Sequence, residues 1–245
     1  MVTPLVLTYN EELNIERTLT SLTWASRVVV LDSGSSDRTR EIAMSFKNVC
    51  WFHRSFDSHC NQWRYGVDGT GIDTDYVLAL DADMSTPDTF RTEIFQFLLK
   101  GFNGARVPFQ YRVLGRPLHS SIYPPQLRLF RRDLVTIRQP GHTQIFEVDG
   151  PTYTFRSQLI HEDRKPLDRW LANQTTYAVL EAARIRRNNS CSLKDLVRRL
   201  GCSPVLLGAY SYFKAGGLAN GKSAVAYACE RLIFEALLTR MLQSE

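Results

Sequence analysis

Long apolar runs are absent from this sequence. The longest stretch without a charged side chain, Leu200–Phe213, is shorter than the ~18 apolar residues a membrane-crossing helix requires, so no bilayer span is expected. Cysteine is sparse. Cys50, Cys60, Cys191, Cys202 and Cys229 are odd in number, scattered and never arranged as CxxC. That argues against a disulfide framework or zinc knuckle and fits a reducing compartment. Glycine-rich phosphate loops are missing too: no GxGxxG follows the first strand, no GxxxxGK[ST] occurs, and Gly34-Ser35-Ser36 is too short for either. A dinucleotide dehydrogenase and a P-loop NTPase are both disfavoured. Met1 leads into Val2–Thr8 with charge first at Glu11, which is not the order of a secretory leader, so none is expected. Internal repeats and low-complexity linkers are lacking.

What remains is an ordinary globular composition, 44% hydrophobic and 22% charged over 245 residues, enough for a full core without staples. The net charge of +5 means attraction to anions: nucleic acid, anionic lipid or phosphorylated substrates. Basic residues cluster at Arg184, Arg186, Arg187, Lys194, Arg198 and Arg199, against the single acid Asp195. Such a run is either a solvated helix surface or a face for a phosphate-rich membrane.

The first hundred residues alternate strand and helix. Val2–Tyr9, Arg27–Leu31, Val49–Phe52 and Tyr76–Leu80 read as strands, the second and fourth continuously apolar and so buried on both faces. Between them Asn10, Asp37 and Ser58 open helices, and Thr86-Pro87 opens another that Gly101 closes. This pattern predicts a mostly parallel α/β sheet flanked by helices. Ala105–Phe155 is strand-like and interrupted by Pro and Gly, with Gln126–Arg131 alternating. It reads as antiparallel additions roofing the carboxyl edge of the sheet. From Leu167 the chain turns helical: Leu167–Arg187, Leu193–Leu200, Pro204–Phe213 and Ser223–Leu242. Val205, Leu206, Leu207, Tyr210, Tyr212 and Phe213 are too many apolar residues for a solvated helix. They pack on the domain, dimerise or lie in a membrane interface.

In such sheets ligands sit beyond the carboxyl ends of strands. Polar clusters fall there: Thr8-Tyr9-Asn10-Glu11, then Asp32, then Asp81-Ala82-Asp83. One such acid often merely caps the next helix. Several at one edge are costly to bury without a cation or ligand, and Mg²⁺ uses one or two carboxylates while substrate phosphates and water fill its remaining positions.

Together, Thr8-Tyr9-Asn10-Glu11, Asp32-Ser33-Gly34-Ser35-Ser36-Asp37-Arg38-Thr39 and Asp81-Ala82-Asp83 resemble the motifs of family 2 glycosyltransferases of GT-A fold. The likeness runs on through His161-Glu162-Asp163-Arg164-Lys165 and Arg169-Trp170 into the helical tail, which looks most like the bacterial lipopolysaccharide-core β-glucosyltransferase branch. The resemblance implies a catalytic domain over residues 1–165 and a helical extension over 166–245 on the acceptor or membrane side. It implies that Thr8, Tyr9 and Glu11 line the nucleotide pocket, that Asp32 accepts the uracil N–H, and that Asp81 reaches the ribose. Asp83 and His161 would hold Mg²⁺ or Mn²⁺ on the diphosphate.

The implied reaction moves a hexose from a UDP-sugar to a saccharide or glycolipid acceptor with inversion. The implied place is the cytoplasm or the inner face of the anionic cytoplasmic membrane, with no nucleic acid involved. Many relatives carry a His-Glu pair before a Val-Asp-Gly turn, whereas here His142-Thr143-Gln144 precedes Glu147-Val148-Asp149-Gly150. An amide at Gln144 takes no proton, so the base falls to Asp163, Glu147, Glu162 or His142, Asp163 first. Two rivals stay open: a sugar-nucleotide-forming nucleotidyltransferase, which would want a basic Gly-rich loop near the N-terminus, and a non-catalytic member that kept the pocket and lost the base. Arg128, Arg131 and Arg132 are either surface charge or neutralise phosphate near the active edge. Trp51, Trp63 and Trp170 belong to the core or stack on sugars.

Overall fold

β-branched and aliphatic runs separated by short helices build the first half of the chain: β1 (Val2–Thr8), α1 (Ile15–Thr20), β2 (Val28–Asp32), α2 (Thr39–Met44), β3 (Val49–His53), α3 (His59–Asp68), β4 (Tyr76–Asp81), β5 (Met84–Ser85) and α4 (Asp88–Leu98). A computed structural model describes residues 1–141, 143–187 and 192–244. Short strands follow: β6 (Gly104–Val107), β7 (Phe109–Val113), β8 (Arg116–Pro117), β9 (Gln126–Arg131), β10 (Val135–Arg138), β11 (Ile145–Val148), β12 (Thr152–Thr154) and β13 (Leu159–His161). The helices α5 (Leu167–Arg187), α6 (Leu193–Arg199), α7 (Ser203–Lys214) and α8 (Gly221–Leu242) complete the chain, with a 3-10 turn at Gly217–Asn220. The chain divides into two compact units. Met1–Gln110, Pro124–Gln139 and Gln144–Arg164 form the first, and Tyr111–Tyr123, Pro140–Thr143 and Lys165–Glu245 form the second.

The first unit holds a seven-stranded sheet of order β12-β6-β9-β4-β1-β2-β3. β1 runs parallel to both β2 and β4, and β2 parallel to β3. Leu5, Val29, Leu31, Val77 and Ala79 point to one face and pack against Trp63 and Val67 of α3 and Phe146 of β11. Their neighbours Val6, Val28, Val30, Leu78 and Leu80 are equally buried on the other face, which is why these strands read as unbroken apolar runs. Ser58 caps α3 by accepting from the Asn61 amide, and Gly69 ends it.

The structure corrects two expectations here. β9 is not a roof over the edge but an interior strand, antiparallel to β4 on one side and β6 on the other. Asn10 does not cap α1, which begins at Ile15. Its backbone is left-handed at φ 53°, a conformation asparagine tolerates better than most residues.

The second unit is a helical assembly. Ala178, Ala182 and Ile185 of α5 meet Phe234 and Leu238 of α8. Leu118, Ala215, Ala224 and Tyr227 form another apolar cluster. The basic run turns out to be mixed. Arg184 pairs with Glu181 and Asp195, and Arg198 with Glu181 and Glu235, so these two cations are internal rather than part of a surface.

Candidate active site

Strand register brings the motifs to one rim. Thr8 lies opposite Asp32 in the β1–β2 ladder, and Leu7 opposite Asp81 in the β1–β4 ladder. Asp32, Thr8 and Asp81 therefore end three adjacent strands within one residue of each other. His53 of β3 joins the same level opposite Asp32.

The loops above these ends are stitched to each other. The Asn10 amide donates to Ser35 Oγ at 2.7 Å, and Asn10 Oδ1 accepts from the Ser36 amide at 2.7 Å. The Glu11 amide donates to Thr39 Oγ1 at 2.7 Å. Asp32 itself is buried and serves its own turn: Oδ2 accepts from the amides of Gly34 at 3.0 Å and Ser35 at 2.9 Å, and Oδ1 accepts from the Ser35 hydroxyl. Gly34 adopts φ 102°, a region that a side chain would make strained. Beneath the turn, fully buried Gln62 donates to Ser33 Oγ at 3.0 Å and accepts from Arg54 at 2.7 Å. Hydrogen bonds from Arg54 and Asn61 hold the Asp57 carboxyl well below the ordinary carboxylate range.

The carboxylates after β4 differ in setting. Asp81, partly exposed, takes an ion pair from Arg128 at 3.3 Å. Arg128 is almost fully buried, lies over the Phe109 ring at 5.4 Å, and leaves its Nε without a hydrogen-bond partner. Arg131 instead sits opposite Tyr76 at the amino end of β4 and pairs with Asp133, away from this rim. Asp83 is only 8% exposed, and its Oδ1 is buried with no hydrogen-bond partner. β5 pairs antiparallel with β13, setting His161 opposite Met84 and its Nε2 3.7 Å from Asp83 Oδ2.

This pair fits Mg²⁺ or Mn²⁺. An unsatisfied buried carboxylate oxygen is what a cation would complete; the carboxylate suits Mg²⁺ or Mn²⁺, and the softer imidazole favours Mn²⁺ of the two. Among the described residues no group of three or more His, Cys, Asp or Glu forms a cage, so phosphate oxygens and water would supply the other positions.

Two residues that sequence reasoning did not single out hold the site together. Fully buried Asn14 donates from Nδ2 to Glu11 at 2.8 Å and to Asp163 at 3.1 Å, and accepts from the Arg164 amide at 3.1 Å. Arg17 donates to the carbonyls of Asp83 and Glu162 and lies 3.4 Å from the Glu162 carboxylate. Asn14 carried one signal, an amide placed between Leu13 and Ile15 of an apolar stripe. Arg17 carried none.

The other candidates separate. Asp163 follows β13, exposed and beside Asn14. Glu147 lies on the β10–β11 hairpin, paired with Arg138 at 3.2 Å. Thr8 is buried with Oγ1 lacking a hydrogen-bond partner, and Tyr9 is exposed. His142 lies outside the described residues. Trp63 is core, edge-on to Phe146.

A mostly parallel α/β sheet with polar and acidic residues converging at its carboxyl rim is the architecture of an α/β protein whose candidate ligand site lies at that rim. Residues 5–150 match the model of glycosyl transferase family 2, and the chain belongs to that family. It is similar in fold to S. aureus TarS 1-349 in complex with UDP-GlcNAc (14% identity, 99% of this chain, 90% of that chain, TM-score 0.53) and with UDP (13%, 99%, 90%, 0.52). It is likewise similar to glucosyl-3-phosphoglycerate synthase from Mycobacterium tuberculosis in complex with phosphoglyceric acid (16%, 76%, 79%, 0.50). No curated protein matches the chain. The GT-A-like fold expected from the motifs is present.

Proposed function

We infer that this glycosyltransferase moves a hexose from a UDP-sugar, with a divalent cation and with inversion, to a saccharide or lipid-linked acceptor of a bacterial surface glycan, in the lipopolysaccharide-core β-glucosyltransferase branch. The observation that carries this reading is the buried Asp83 carboxylate, its Oδ1 without a hydrogen-bond partner and its Oδ2 3.7 Å from His161 Nε2, next to the rim where Thr8, Asp32 and Asp81 end. The UDP-GlcNAc and UDP complexes of TarS support the donor class. Residues 1–165 act as the catalytic domain and 166–245 face the acceptor or membrane.

In this reading Thr8, Tyr9 and Glu11 line the nucleotide pocket. Asp32 Oδ1, which accepts one hydrogen bond within its turn, has a lone pair left for the uracil N–H. Asp81 holds a ribose hydroxyl, oriented by Arg128. Asp83 and His161 hold Mg²⁺ or Mn²⁺, which when bound stabilises negative charge on the departing diphosphate. The bond from the anomeric carbon to the β-phosphate oxygen breaks and its electron pair leaves with the nucleotide. The acceptor oxygen bonds to the opposite face of that carbon while Asp163 takes its proton.

The test is UDP-sugar hydrolysis with and without Mn²⁺ for wild type and Asp83→Ala. Turnover that needs Mn²⁺ and disappears with the substitution supports the reading. Turnover indifferent to both overturns it.

A further inference from the structure

Helix α7 is built inside out. Its buried face carries Ser203, Gly208 and Ser211, and its exposed face Val205, Leu206, Tyr210 and Phe213. Small residues inward allow α7 to lie close on α8, where a Cβ at Gly208 would meet Leu232 Cβ at 3.4 Å. The large apolar groups are thereby turned out. With Ala209 they fill an arc of roughly 140° at 3.6 residues per turn. This is not the scattered exposure of single apolar residues that any surface shows. Phe213 is 73% exposed, and Leu218 in the following 3-10 turn is 91% exposed. On α6, Leu193 and Leu196, with Leu200 just beyond, form a second exposed stripe.

The charges on the same stretch have one sign. From Ser192 to Lys222 the exposed charged side chains are Lys194, Arg199, Lys214 and Lys222, of which Lys194 has an amine pKa lowered by burial beside Arg198 and Arg231, and the one acid, Asp195, is buried against Arg184. Lys194 and Arg199 fall on either side of the α6 leucine stripe, and the Lys214 amine lies 5.8 Å from the Tyr210 ring at the end of the α7 stripe.

We propose that the α6–α7 surface and the turn after it form an interfacial anchor that docks on an anionic lipid bilayer, with Leu206, Tyr210, Phe213 and Leu218 entering the headgroup boundary and Arg199, Lys214 and Lys222 meeting lipid phosphates. An apolar arc rimmed by Lys and Arg is the surface such an interface selects. A second copy of the chain is the poorer occupant, because a two-fold contact would bring the same cations face to face. The anchor does not depend on the donor chemistry proposed above, and specifies how the second unit would reach a lipid-linked acceptor.

The experiment is co-sedimentation of the full chain with vesicles of phosphatidylcholine alone and of phosphatidylcholine mixed with phosphatidylglycerol. Donor hydrolysis and the melting temperature are followed in parallel. The expected result is binding to the mixed vesicles only, weakened by salt. Lys214→Gln with Lys222→Gln lowers it about 25-fold, at about fivefold per cation. Leu206→Glu with Phe213→Glu abolishes it and leaves hydrolysis and melting unchanged. Two outcomes overturn the anchor: wild type that stays in the supernatant with both vesicles, or a dimer that the glutamate pair dissolves without any vesicle binding. Either can occur with donor hydrolysis intact, so the anchor and the donor reading fail separately.

Discussion

His161 Nε2 stands 3.7 Å from Asp83 Oδ2, too far for a hydrogen bond. Two donors each about 2.0–2.2 Å from one ion lie about 3–4 Å apart, so the spacing suits a shared cation. Manganese titrated into the protein with UDP present is expected to show one site by calorimetry. His161→Ala should weaken it by about 10–100-fold, the range that even outer-shell partners command, and Asp83→Ala should remove it. An unchanged isotherm in both variants would end the metal assignment.

Asn14 places one amide between two acids. Its Nδ2 donates to both Glu11 and Asp163, so a single buried group sets the loop after β1 and the segment after β13 in one arrangement. Asn14→Ala is expected to cost about 1–3 kcal/mol of stability for the groups left unpaired and to lower kcat. Asn14→Asp should be worse than alanine despite its closer shape, because it sets a third carboxylate against Glu11 and Asp163. Thermal melting and hydrolysis rates for the two variants check this, and alanine being the more damaging would sink it.

The candidate bases differ in surroundings. Asp163 adjoins Asn14 on the chain segment that carries His161, whereas Glu147 is committed to Arg138 on the hairpin. Asp163→Asn is expected to lower kcat for glycosyl transfer by about 10²–10⁴-fold while leaving the UDP-induced rise in melting temperature intact. Glu147→Gln should change neither. The reverse pattern would move the base to the hairpin.

Some of this molecule was open to sequence reasoning for plain reasons. β2 and β4 are buried on both faces, so their continuous apolar runs have one economical interpretation, and α5 follows its periodicity from Leu167 to Arg187. Other parts were hidden because a distant partner reverses what a residue implies. The alternation of Gln126–Arg131 signals a half-exposed strand, yet Arg128 is buried because Asp81 meets it. Arg184 and Arg198 resemble surface cations until Glu181 and Glu235 fold beside them. Asn14 and Arg17 act through contacts with residues around Asp83 and Asp163, far along the chain, which no local pattern encodes.

That buried network in the second unit gives the last prediction. Glu235 is fully buried, hydrogen-bonded by Arg198 through both its Nε and Nη2, and paired with Arg231. Burial alone would raise its carboxyl; the hydrogen bonds from Arg198 and the charge of Arg231 outweigh that and hold it below its ordinary value. Asp195 is lowered in the same way, with Arg184 and Ser192 overcoming burial. A carboxyl lowered on folding contributes stability that is fully present above its unfolded value, about 4, and that fades as pH falls through the lower folded value. Melting temperature should therefore hold steady down to about pH 5 and drop steeply below about 4. Glu235→Gln should flatten that acid slope. Glu235→Ala should cost roughly 3–5 kcal/mol at neutral pH, because Arg198 is then left under-paired inside the helices. Replacing Glu181, Arg198, Arg231 and Glu235 together by apolar residues of similar volume should cost less than Glu235→Ala alone, since Arg184 and Asp195 stay paired and no buried charge is stranded. A quadruple variant less stable than the single one would show that the network does more than neutralise itself.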